Sequence, residues 1–178
     1  LLNKHNIHPD SRRNHVGLGG GGLPDIGVYP TVTARITTGR EPLRVSASIK
    51  RDLEFGTDTW ASIRADFGDF ELSFYCSTQM DLRQSMVFHG ESGWIEVTAP
   101  FNARDYGTAK VRRHRHSNNE VQEFRFAKNA QYRLQVENFV RAARGGEDPV
   151  FTLENSKLNQ RVIDAIYAAG ETESWAAV

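Results

Sequence analysis

Cysteine is almost absent from this sequence: Cys76 stands alone among 178 residues, so no disulfide can form within the chain. That usage suits a reducing compartment, and the cytoplasm is the expected location. Net charge is missing too, because 22 basic residues balance 22 acidic ones. The broad positive footprint of a nucleic-acid binder is therefore lacking, and nucleic acid is excluded as an expected partner. No apolar run comes near the roughly 20 residues that cross a bilayer, and the sequence shows no basic-then-apolar leader, so a soluble chain with no membrane partner is expected. An initiator methionine is also missing. Leu1 stands in its place, as expected of a fragment or processed product.

Apolar residues are not scarce: they make up 39% of the chain, enough for a real core. A single domain over residues 1–178 is the expectation, burying about two thirds of its unfolded surface. Glycine is concentrated in one place, Gly19-Gly20-Gly21-Gly22, followed by Leu23-Pro24-Asp25-Ile26-Gly27-Val28-Tyr29. Four glycines allow positive φ and a close approach of backbone to a ligand, and Gly21 in particular is expected at positive φ. Pro24 and Asp25 suit a helix start, and Ile26, Tyr29, Val32, Thr33 and Ile36 carry the pattern to Gly39. Asp25 and Tyr29 then stand at i and i+4, where a carboxylate and a phenol can share a substrate hydroxyl and move its proton. The plain alternative is an N-capping aspartate beside a tyrosine at the edge of the core.

Other motifs carry less. Gly17-Leu18-Gly19-Gly20-Gly21-Gly22 matches Gly-x-Gly-x-x-Gly, with Glu41 about 20 residues on. A dinucleotide site needs a buried strand before the first glycine, and Asp10 to His15 is polar. His5, His8 and Asp10 have metal-ligand chemistry, but a polar terminal segment offers no rigid further ligand, so no metal is expected. Arg12 and Arg13 lie close to the glycine loop and can reach a polar substrate or remain solvated. Asp66-Phe67-Gly68 is a hairpin edge, since no kinase lysine strand or catalytic loop accompanies it. The run from Arg112 to His116 splits its charges between two strand faces and is followed by Glu120 and Glu123, as a solvated edge hairpin would be.

After Gly39 the period changes to two. Leu43, Val45, Ala47 and Ile49 alternate with polar residues, and strands are expected at Asp58 to Phe67, Phe70 to Ser77, Arg83 to His89, Trp94 to Val97, Thr108 to Arg115 and Val121 to Phe126. Gly68-Asp69, Gly90 to Gly93 and Asn118-Asn119 supply the turns. Helices follow at Gln131 to Arg144 and at Ser156 to Ala169, the second ended by Gly170, both lying on the sheet. The fold class is α+β: a mostly antiparallel or mixed open sheet of about six to eight strands with helices packed on one face. Phe70, Leu72, Phe74 and Cys76 suggest an apolar sheet face on which a second copy can pair.

The run GGGGLPDIGVYPTVTAR resembles the junction in the glucose-fructose oxidoreductase and inositol dehydrogenase family (Gfo/Idh/MocA). There a Gly-Gly-Gly-x-Leu-x-Asp-x-Gly-x-Tyr/His segment opens the C-terminal domain. The tail Asn159-x-Arg161-Val162-Ile163-x-Ala165-Ile166-Tyr167 is similar to that family as well. The resemblance implies that Asp25 and Tyr29 line a sugar, polyol or diol site and assist proton transfer. Substrate contacts are expected from Gly21, Gly22, Arg12, Arg13 and Asn159. It also implies NAD or NADP, bound mainly by a preceding dinucleotide-binding domain that carries a Glu-Lys-Pro lysine. Neither that domain nor that tripeptide occurs in this chain, so the isolated chain is expected to show no turnover. Tyr29, where inositol dehydrogenases carry His, points toward the glucose-fructose oxidoreductase, dihydrodiol and aldose dehydrogenase side. A homo-oligomer formed through the open sheet face is implied. The alternative is a module whose job is self-association alone.

Overall fold

A computed structural model describes residues 8–103, 108–127, 130–146 and 148–178. Two compact units emerge, one from Leu1–Asp81 with Phe151–Val178 and one from Leu82–Val150. The α+β class and the antiparallel pairing are as expected, with the strands shared between two four-stranded sheets.

The first unit holds β1 (Arg44–Arg51), β2 (Asp58–Asp66), β3 (Glu71–Ser77) and a short β8 (Ala176–Ala177) in the order β3-β2-β1-β8, all antiparallel. Its helices are α1 (Val28–Thr38) and α3 (Leu153–Thr172). Period-two alternation turns Val45, Ala61, Ile63, Ala65, Leu72 and Cys76 inward, where they are buried together with Val162, Ile163, Ile166 and Ala169 of α3. The face suggested for pairing with a second copy is therefore this unit's own core. Leu72 lies beside Thr31 and Arg35 of α1, and a Cβ on Gly27 would meet Cys76 Sγ at 3.5 Å. The opposite face is polar. Arg64 binds Glu71 through both carboxylate oxygens at 2.9 and 2.6 Å, Arg44 binds Asp66 at 2.8 Å, and both guanidiniums lie over the Trp175 ring.

Thr152 caps α3, its hydroxyl accepting from Asn155 N–H at 3.2 Å. The helix begins three residues before the expected Ser156 and runs through Gly170 to Thr172. Gly170 does not end it. A Cβ there would meet Ile49 Cδ1 at 2.5 Å, so glycine serves a close helix-to-strand approach. Arg35, buried on α1, binds Glu41 through Nε and Nη2 at 2.5 and 2.8 Å and reaches the Asn155 carbonyl on α3 at 3.2 Å.

The second unit holds β4 (Met86–Gly90), β5 (Gly93–Val97), β6 (Ala109–Arg115) and β7 (Glu120–Phe126), paired consecutively, and α2 (Gln131–Ala143). Arg112 is ion-paired with Glu123 at 3.1 Å and Glu96 at 3.5 Å, and Arg113 donates to the Gln122 side-chain oxygen, so these two members of the basic run are held within the hairpin by its neighbouring strands. The α2 stripe was expected to lie on the sheet, but α2 buries no residue: Tyr132, Val136 and Phe139 are all exposed.

Candidate functional site

The glycine loop is shaped by what lies on either side of it. Ahead of it come two short 3-10 turns, Arg12–Asn14 and Val16–Leu18, in place of the strand that a dinucleotide fingerprint requires. Gly20 N–H donates to the His15 carbonyl at 2.9 Å, and a Cβ on Gly20 would fall 2.6 Å from the carbonyl oxygens of both Arg12 and Arg13. Gly21 has φ +130°, the positive value expected of it, and a Cβ there would sit 2.0 Å from Asp58 Oδ1. Neither position admits a side chain.

After the loop the chain does not enter an α-helix directly. Leu23–Gly27 form a π turn in which Val28 N–H reaches back to the Leu23 carbonyl, and α1 begins at Val28. Such turns recur at functional sites. The i, i+4 spacing of Asp25 and Tyr29 therefore no longer ensures a stacked pair. Asp25 is not a helix cap either: Gly22 occupies that position and no side chain caps the turn. Instead Asp25 Oδ2 meets Arg13 Nε at 2.8 Å, and Asp25 Oδ1 meets Arg12 Nη2 at 3.7 Å. Arg12 Nη1 also donates to the Gly19 carbonyl at 3.4 Å. Tyr29 is 45% exposed in the first turn of α1.

Of the residues expected at the site, Arg12, Arg13 and Asp25 are brought into one cluster beside the glycine loop, with Tyr29 four positions along. Gly21 and Gly22 face Asp58. Asn159 is elsewhere: it is buried between α1 and α3, donating to the Val28 carbonyl at 3.3 Å and accepting from Arg35 Nη1 at 3.4 Å.

Asp58 and Tyr167 were not anticipated. Asp58 is 1% exposed, accepts from Leu23 N–H through Oδ2 at 2.7 Å and from the Tyr167 hydroxyl through Oδ1 at 2.5 Å. Strict alternation from Trp60 would turn Asp58 outward. A bulge prevents this: Lys50 pairs with Trp60 and Arg51 with Asp58, leaving Thr59 without an opposite residue. Burial, and then the bond to Asp58, push the Tyr167 hydroxyl well above its ordinary range and keep it a neutral donor. Burial pushes the Cys76 thiol up to about 12, with the Asp58 charge adding to it. A polar cleft bordered by Arg13, Asn14, Thr57, Asp58 and Thr78 adjoins the cluster.

An ionised carboxylate offers about four lone-pair positions, so Asp25 retains acceptor capacity for substrate hydroxyls beside its two guanidiniums. Among the described residues no group of three or more His, Cys, Asp or Glu is placed to hold a metal ion, and His5 lies outside them. Among the same residues no helix is long and apolar enough to cross a membrane.

A profile of the GFO/IDH/MocA C-terminal domain matches residues 2–96. An oxidoreductase of Rhizobium meliloti is 33% identical over 177 residues, covering 97% of this chain and 53% of that protein. The D-xylose 1-dehydrogenase (NADP(+)) 2 of Haloferax volcanii is 30% identical over 165 residues, covering 92% of this chain and 50% of the relative. In three dimensions the chain resembles the aldose-aldose oxidoreductase of Caulobacter crescentus, solved with glycerol, with a TM-score of 0.83 at 23% identity over 97% of this chain and 52% of that one. The chain thus spans about half the length of the curated relatives it matches.

Proposed function

The chain belongs to the GFO/IDH/MocA C-terminal domain family, and from that premise we propose that it is the substrate-facing half of a cytoplasmic NAD(P)-dependent oxidoreductase acting on a sugar, polyol or diol. The observation that carries the reading is the cluster of Asp25, Arg13 and Arg12 against the glycine loop, with the exposed Tyr29 four residues on in the chain. The named activity and cofactor of the Haloferax relative, and the name of the Caulobacter enzyme with its bound glycerol, support the substrate class. When bound, the nicotinamide cofactor supplies the hydride chemistry, and most of its contacts belong to a dinucleotide-binding domain outside this chain. Asp25 orients substrate hydroxyls by accepting their hydrogen bonds, and the Tyr29 hydroxyl exchanges a proton with the reacting oxygen. Gly21, Gly22, Arg12 and Arg13 bound the mouth, and residues 1–178 work as one domain within the enzyme.

Steady-state turnover of the enzyme containing this chain, with NADP or NAD and a panel of aldoses, polyols and diols, tests the proposal. Tyr29→Phe lowers kcat by about 10² while leaving cofactor KM unchanged. Wild-type turnover in that variant would overturn the reading. The proposal extends to a homo-oligomer, favoured by the exposed apolar stripe of α2 and by the open outer face of the first sheet. A sedimentation mass of one chain at micromolar concentration would count against it.

A further inference from the structure

Three features meet at Asp58. Its strand carries a bulge at Thr59 that turns the carboxylate to the buried side. Both of its oxygens are engaged, one by the Leu23 amide that opens the π turn and one by the Tyr167 hydroxyl of α3. The two glycines facing it lie close: an ideal Cβ at Gly21 would overlap Oδ1 at 2.0 Å, and one at Gly22 would crowd Oδ2 at 3.1 Å. The other side of the loop is closed against the Arg12 and Arg13 carbonyls through Gly20. The loop is therefore held between the segment that supplies the two guanidiniums and the carboxylate that anchors the start of the π turn. Asp25 is two residues from that anchor, in the same turn.

We propose that Asp58, locked by Tyr167, is a positioning residue. By holding Leu23 N–H it sets the glycine loop and the π turn so that the Asp25 carboxylate meets Arg12 and Arg13 at the substrate mouth. This deepens the function proposed above and rests on its assignment of Asp25. A carboxylate suits the task because one group accepts from two donors that come from distant parts of the chain, 35 and 109 residues away. It also meets the positive end of the helical segment that begins at Leu23.

Asp58→Ala removes both bonds, and Asp58→Asn keeps one acceptor oxygen for Leu23 N–H. Hydrogen exchange in the chain itself reads the anchor: the Leu23 amide exchanges about tenfold faster or more in Asp58→Ala and recovers most of its protection in Asp58→Asn. In the active enzyme, Asp58→Ala lowers kcat about tenfold with cofactor KM unchanged, and Asp58→Asn restores most of it. On an Asp25→Asn background the additional loss from Asp58→Ala falls below about twofold, because the residue acts through Asp25. Equal losses on both backgrounds would show a general structural role and overturn the proposal, as would unchanged exchange at Leu23. If Asp25→Asn impairs turnover and Asp58→Ala does not, only the positioning role falls. If Asp25→Asn turns over like wild type, the assignment of Asp25 fails and this proposal with it. Should Asp58→Ala not fold, Tyr167→Phe replaces it, removing the lock while keeping the Leu23 bond, with about a threefold loss expected in the same cycle.

Discussion

Two helices of this chain carry similar amphipathic patterns and meet different fates. In α3, Val162, Ile163, Ile166 and Ala169 are each 1% exposed or less, pressed on β1. In α2, Tyr132 and Val136 are 61% exposed and Phe139 is 71% exposed. The same contrast runs through the two units. The first draws inward-facing residues from every long strand and from α1 and α3, whereas buried apolar residues of the second among those described are Met86, Ala99 and Ala103. An amphipathic stripe thus states that a face needs covering; it does not state what covers it. The candidate site follows the same division, since Asp25, Tyr29, Asp58 and the glycine loop all stand on the unit that has the core.

Truncating one residue of each apolar stripe gives the largest contrast. Ile163→Ala destabilises the chain by about 3 kcal/mol in urea unfolding, whereas Phe139→Ala changes stability by less than about 0.5 kcal/mol. A cost above about 1.5 kcal/mol for Phe139→Ala would show that α2 is covered in solution and would break the comparison. Next come glycines at positive φ in the two units. Gly21→Ala combines strain with overlap on Asp58 and costs about 2 kcal/mol or more, while Gly145→Ala, whose Cβ would meet nothing within 4 Å, costs about 1 kcal/mol. Equal thermal shifts for the two would show that Asp58 gives way.

The buried thiol sharpens the contrast further. Cys76 ordinarily ionises near 9.0 and is pushed up to about 12, so native chain at pH 8 labels far more slowly with a thiol reagent than urea-unfolded chain. Because the folded pKa is raised, this stabilising contribution is complete below pH 9 and is lost as pH rises toward 12. Equal labelling rates would place Cys76 at the surface. The smallest effect is on the exposed faces of both sheets. The Gly68 amide and Arg44 hold Asp66 below its usual range, Arg64 does so for Glu71, and Arg125 and Arg112 for Glu123. Their contribution is present above the ordinary carboxylate range and is lost as pH falls through the lowered values. These groups are solvated, so the acid-side loss is small and shrinks in high salt. A midpoint insensitive to salt at low pH would contradict this.

Local pattern made most of the fold legible. Strands expected from alternation at Asp58, Phe70, Trp94 and Val121 appear within a residue of those starts, as does the helix at Gln131, because each depends on neighbours close in sequence. The glycine loop was legible for the same reason, although the partners that require glycine at Gly20 and Gly21 were not. Asp58 was hidden by a one-residue bulge, which reverses the face that alternation assigns to it. Tyr167 reads as one more residue of a core-facing helix until the chain brings it to Asp58. The π turn left no mark in the pattern. The edge strand at Ala176–Ala177 is too short to show a period, and its pairing with Arg44 and Val45 is a tertiary fact.

In the proposed enzyme, substrate hydroxyls meet Asp25 and Tyr29 at the glycine-loop mouth. A crystal structure of the cofactor-bound enzyme containing this chain, soaked with an aldose that it turns over, tests this most directly. Sugar hydroxyls are expected at about 2.7–3.2 Å from the Asp25 carboxylate and the Tyr29 hydroxyl. A turned-over sugar seated out of reach of both side chains would contradict it.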